Sequence, residues 1–173
     1  MADGAGEAPD YQQAKLALVK LINEKRVENS LEPLKVDPAA SAAADVHCQE
    51  MVANGFTSHW SMNADKPYQR YFTGGVKDHV SENVVGQDAP DEETFSLDAA
   101  SVEKLMKDAQ DSFMAEQEPN DLNKQNTLDE KHTHIGIGVA CSQKSFRYVE
   151  VYLDRYVELE DPAPVLSLSL IHI

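Results

Sequence analysis

The chain has 173 residues, the size of one ordinary domain, and 42% of them are hydrophobic, enough for a core. Acidic residues number 30 against 15 basic ones, and the resulting formal net charge of −15 repels phosphate backbones and anionic headgroups, which counts against nucleic-acid binding and an electrostatic membrane grip. The start, MADGAGEAPDYQQ, lacks the basic and apolar run of a secretory signal, no stretch approaches a membrane span, and two distant cysteines, Cys48 and Cys141, make no disulfide framework. These features predict an intracellular protein with reduced thiols and no transmembrane segment.

Residues 1–8 are small and polar and read as a flexible N-terminus. A helix follows, with Ala14, Leu18, Leu21, Ile22 and Lys25 at helical spacing and an end near Asn29. Leu34–Val36 reads as a short extended piece. Asp37 and Pro38 then form an N-cap and first-turn proline for an alanine-rich helix over Ala39–Asn54, closed by Gly55. Residues 56–81 show no clear period and read as a long ordered loop with short helical turns. Glu82–Val85 reads as a short strand and Gly86–Ser96 as an acidic surface loop. A third long helix carries Val102, Leu105, Met106, Ala109 and Phe113 on one stripe and stops by Pro119. Ile135–Cys141 and Phe146–Leu153 form a hairpin, with Tyr156–Leu159 prolonging or trailing it. This order suits an antiparallel sheet with helices against it.

Several residues carry candidate chemistry. Glu116 continues the apolar stripe of the third long helix, where a carboxylate is solvated at the helix end, paired, or in a site. His59 lies between Phe56 and Trp60 in a loop pinned by aromatics, as a core hydrogen-bonder or a site residue. Glu82 opens a short apolar strand. His132 and His134 would share one face of a strand, but two ligands are too few for zinc. His47 and Cys48 read as core or interface residues. Gly136 and Gly138 leave room for a neighbour to pack closely. Serine-elbow, phosphate-loop and dinucleotide motifs are absent from the sequence.

Four ordered segments together resemble the CAP superfamily of cysteine-rich secretory, antigen five and pathogenesis-related proteins, in its bacterial and protist style. They are Phe56-Thr57-Ser58-His59-Trp60 with the following Lys66-Pro67-Tyr68-Gln69-Arg70-Tyr71 and Gly74-Gly75; Ser81-Glu82-Asn83-Val84; Met114-Ala115-Glu116 with Pro119-Asn120-Asp121; and His132-Thr133-His134-Ile135-Gly136-Ile137-Gly138-Val139. The resemblance implies an α+β fold, a three-layer α-β-α sandwich with a central antiparallel sheet, over residues 9–160. It also implies a cleft of two histidines and two glutamates that holds a divalent metal in some members. His59, Glu82 and Glu116 match three of the four positions. Asn123 stands where the second histidine belongs, and an amide is a poor zinc ligand, so no metal and no cofactor are expected.

The family is associated more with binding than with settled catalysis. The expected function is therefore a non-catalytic intracellular binding or scaffold domain with a protein partner, a subunit of a larger assembly such as a cytoskeletal or ciliary structure. The alternatives are a lipid or sterol carrier and a hydrolase using Glu82 or Glu116 as general base with His59. Residues 161–173 form a tail whose last six residues translate CTGTCTCTTATACACATC, a transposon end used in sequencing libraries. The tail reads as an assembly artefact, the alternative being a genuine apolar strand that docks on a partner or on the domain.

Overall fold

Local chemistry sets the helix ends. α1 spans Gln12–Glu28 and α2 spans Pro38–Asn54. The Asp37 carboxylate accepts the Ala40 N–H at 2.7 Å, Pro38 occupies the first turn where no N–H is needed, and Gly55 ends α2 with a φ of 66°. α3 covers Pro67–Thr73, α4 Ala99–Met114 and α5 Leu122–Thr127. The strands are β1 (Lys35–Val36), β2 (His79–Asp88), β3 (His134–Cys141) and β4 (Ser145–Asp154). This computed structural model describes residues 10–157, so the expectations for residues 1–8 and for the tail at 161–173 lie outside the described residues.

The sheet order is β1-β3-β4-β2. The three long strands are antiparallel, and the two-residue β1 adds a parallel edge beside β3. Strand alternation then divides the core into two layers. Ile135, Ile137, Val139, Phe146, Tyr148 and Tyr152 face α1 and α4, meeting Leu18, Ile22, Val102, Met106 and Phe113. Val149, Val151 and Leu153 face the other way, onto Ala40, Ala44, Cys48 and Met51 of α2 and Tyr71 of α3. With helices on both faces, the fold is the expected α-β-α sandwich.

The glycines of β3 are what allow α2 to lie so close. An added Cβ at Gly136 would come within 2.7 Å of Ala40, and one at Gly138 within 2.4 Å of the Ala44 carbonyl carbon. Small residues on both sides bring helix backbone onto strand backbone.

The structure corrects four readings. Within the stretch 56–81, α3 behind the first-turn Pro67 matches the expected short helical turns, but β2 begins at His79 rather than Glu82. β2 also runs past Val85 to Asp88, because Gly86, Gln87 and Asp88 keep their register with Arg147, Phe146 and Ser145. The polar ends of this strand lie exposed at the sheet's rim, so hydrophobicity does not mark them. α5 was not anticipated, having no apolar period. On α1 the buried residue is Arg26 rather than Lys25, with 0% exposure. Its guanidinium donates to the carbonyls of Glu32, Thr127, Asp129 and His132 at 2.8–3.3 Å, so backbone oxygens compensate the burial of its charge.

Close packing of α2 on β3 predicts that Gly138→Ala destabilises the domain by about 1–3 kcal/mol, because the obstructing atoms belong to backbone that cannot swing aside. Denaturant unfolding measures this, and an unchanged midpoint would contradict it.

Candidate functional site

Glu82 sits on β2, the sheet's edge strand, with its side chain only 2% exposed. A carboxylate removed from water needs donors. Three separate groups supply them. His59 Nδ1 lies 3.0 Å from Oε1, while Arg70 Nη2 and the Tyr71 hydroxyl donate to Oε2 at 2.5 and 2.6 Å. Burial by itself raises the Glu82 carboxyl, but the His59 hydrogen bond, the Arg70 charge and the bonds from Tyr71 and Arg70 outweigh it. The group is held below the ordinary carboxylate range. Arg70 also donates to the His59 carbonyl and to the Ser61 hydroxyl, so the loop carrying His59 is tied to α3 as well as to β2.

Glu116 lies two residues beyond the end of α4 rather than on its apolar stripe. Its carboxylate binds the start of α5. Oε1 accepts the Asn123 side-chain amide at 2.6 Å, and Oε2 accepts the backbone N–H groups of Asn123 and Lys124 at 3.0 and 3.3 Å. An acid at a helix start satisfies amides that have no partner within the helix.

His59, Glu82 and Asn123 line one concavity of about 420 Å³, together with Leu122, Gln125, Asn126 and Asp129. Glu116 is not among its lining residues and reaches it only through its bonds to Asn123 and Lys124. Strand register explains why two layers meet here. Glu82 pairs with Val151 on the α2 face, and the adjacent Asn83 pairs with Glu150 on the opposite face. The Asn83 amide donates to the Asn123 carbonyl and to Glu150, each at 3.0 Å, and its oxygen accepts from the Asn126 amide at 2.9 Å. The wall formed by α5 thus hangs from a polar network that ends on Glu150, which is 0% exposed. The hydroxyls of Tyr148 and Tyr152 each donate to Glu150 at 2.6 Å. Burial raises the Glu150 carboxyl, and the bonds from both tyrosines and Asn83 only partly oppose it.

The remaining candidates lie elsewhere. His132 precedes β3, so it and His134 are not two residues of one strand. It stacks on Tyr152, with ring centroids 5.1 Å apart, and its Nδ1 contacts Asp154 at 2.6 Å. His134 Nδ1 lies 2.9 Å from the Thr133 hydroxyl. Buried His47 contacts Glu50 and the Ser58 carbonyl, pinning the loop ahead of His59 to α2. Cys48 and Cys141 are unpaired, and burial pushes both thiols up. Arg70, Tyr71, Asn83, Gln125, Asn126, Asp129 and Glu150 were assigned no role from sequence. A period-two signal was present for one of them, since Tyr148, Glu150 and Tyr152 alternate along a strand with Val149 and Val151 between them.

The cleft residues do not fit the divalent metal held by some relatives. Both Glu82 oxygens already meet protein donors, Glu116 is turned to α5, and Asn123 brings an amide where a ring nitrogen would ligate. Among the described residues no three His, Cys, Asp or Glu side chains gather as a ligand set.

Glu82 makes a signed prediction about pH. Its folded-state pKa lies below the unfolded one, so its stabilisation is complete above the unfolded value. It is lost as the pH falls through the folded value, below the ordinary carboxylate range. Glu150 acts oppositely: its contribution is complete below the unfolded value and is lost as the pH rises through the raised folded one. Glu82→Gln removes the carboxylate facing Arg70, whose side chain is 9% exposed, and leaves a buried charge unpaired. The expected loss is about 3–5 kcal/mol at pH 7, shrinking towards pH 3. Urea unfolding at the two pH values measures it, and an equal loss at both would contradict the assignment.

A family model described as the cysteine-rich secretory protein family, CAP, matches residues 19–152. Comparison with curated proteins gives no match. Among solved structures, the chain is similar to an extracellular SCP-domain protein from Bacillus anthracis, at 20% identity and a TM-score of 0.62, over 81% of this chain and 40% of that one. It is similar to an outer surface protein from Borrelia burgdorferi, at 15% identity and a TM-score of 0.66, over 87% of this chain and 98% of that one. A cysteine-rich secretory protein from Staphylococcus aureus aligns at 16% identity and a TM-score of 0.54, over 90% of this chain and 44% of that one. The chain thus spans less than half of the Bacillus and Staphylococcus proteins, and at these identities the likeness concerns the fold. With the family model matching most of its length, over a sandwich whose edge carries Glu82 and His59, the chain belongs to the CAP family.

Proposed function

We propose that this domain is a non-catalytic binding module for a protein partner, serving as a scaffold element of a larger intracellular assembly of cytoskeletal or ciliary type. The observation that carries this reading is that both family acids are bonded into the protein. Glu82 accepts from His59, Arg70 and Tyr71 with its side chain only 2% exposed, and Glu116 accepts from the start of α5, so neither acid is presented to a substrate as a general base would be. Both carboxylates act as braces for the cleft wall. The segment after His59 supports a protein partner: Trp60, Met62, Tyr68 and Phe72 are each 51–65% exposed, and aromatic residues and methionine are enriched at interfaces. The free thiols of Cys48 and Cys141 support a reducing compartment. Among the described residues no helix is long and apolar enough to cross a membrane.

The test has two arms. Peptide and ester substrates incubated with the protein, with and without added zinc, are expected to turn over no faster than with His59→Ala. Cross-linking and mass spectrometry on the natively purified protein are expected to recover a partner cross-linked within residues 59–72. Turnover abolished by His59→Ala would overturn the reading, as would a stoichiometric sterol in place of a protein.

A further inference from the structure

We propose that the cleft seats a guanidinium, the side chain of an arginine presented by the partner. This rests on the reading of the domain as a protein-binding module and names what the site takes.

Three carboxamides line it, and the network fixes the orientation of each. The Asn123 amide nitrogen faces a Glu116 oxygen, which only accepts. The Gln125 amide nitrogen faces an Asp121 oxygen at 2.7 Å, which also only accepts. The Asn83 nitrogen is committed to the Asn123 carbonyl and the Glu150 carboxyl, so Asn83 presents its oxygen to Asn126, and the Asn126 nitrogen must be the donor. Each of the three side chains therefore gives one N–H to a protein oxygen. What each has left to offer a ligand is its oxygen, with both lone pairs, and one N–H.

The other lining groups have the same polarity. Glu82 accepts from His59 Nδ1, which leaves the second ring nitrogen, Nε2, for a ligand. Asp129 adds a carboxylate, whose Oδ1 accepts the Lys131 N–H while its backbone carbonyl holds Arg26. Leu122, 71% exposed, supplies apolar surface for a methylene stem. Neither lysine nor arginine is among the lining residues. Such a wall has no cationic side chain with which to hold an anion, and its carboxylate and amide oxygens suit a cation rich in N–H donors. Guanidinium presents five. The net charge of −15 steers a basic segment towards the domain.

The probe is the peptide acetyl-Gly-Arg-Gly-amide, titrated at low salt and followed by calorimetry and by the side-chain amide NMR signals of Asn123, Gln125 and Asn126. Saturable binding with shifts at these signals is expected. The citrulline peptide, neutral but nearly isosteric, is expected to bind about tenfold or more weakly, because it lacks charge-assisted hydrogen bonds. Gln125→Arg places a guanidinium in the cleft and is expected to weaken the arginine peptide by a similar factor. Asp129→Asn removes the carboxylate charge but keeps the carbonyl bonded to Arg26, and is also expected to weaken it, so a folding defect in one variant leaves the other. Equal binding of citrulline, no saturable binding of arginine, or calcium chloride shifting the three signals while the peptide does not would each overturn the proposal. Failure here with a partner still cross-linked at residues 59–72 overturns the guanidinium seat alone, whereas peptide turnover abolished by His59→Ala overturns the reading beneath it.

Discussion

An ionised carboxylate on the edge strand, almost out of contact with water, is the constraint around which the cleft is arranged. Glu82 must be met by donors, and no neighbour on its own strand supplies them. They come from a loop and from α3, brought in by tertiary packing. The irregular stretch that holds His59 and Trp60 is ordered largely because Arg70 bridges it to Glu82. Loss of the carboxylate would leave the Arg70 charge buried and the loop without its anchor.

The opposite wall depends on a similar device. α5 is six residues long and has no apolar stripe to hold it. Glu116 caps its first amides, Asn83 and the buried Glu150 hold it from the sheet, and Arg26 grips the chain that leaves it through the Thr127 and Asp129 carbonyls. Polar contacts do here what hydrophobic burial does elsewhere in the sandwich. Each side-chain amide nitrogen on the cleft's α5 wall gives an N–H to a protein oxygen, and the side-chain carbonyl oxygens are left over. Structural need and ligand preference therefore follow from one set of bonds.

In this CAP domain both acids are tied to the walls of the cleft. Glu82 accepts from His59, Arg70 and Tyr71, and the Asn123 amide closes on Glu116.

Much of the framework was legible in the sequence. The caps of α2, the stripe of α4, the hairpin and the paired glycines of β3 all follow from short-range rules, since periodicity and capping depend on residues a few positions apart. The ordered motifs singled out His59, Glu82 and Asn123, which line one concavity, and Glu116, which is not among its lining residues. The ends of β2 escaped notice because an edge strand's rim residues are polar, and α5 because polar contacts rather than an apolar face hold it in place. Which acid is buried, which donors it spends itself on, and which atom of each amide is left over were decided only by the tertiary structure. Those properties depend on partners as far apart as Glu82 and His59, or Asn83 and Glu150, and the sequence by itself determines what groups are available but not how they are turned.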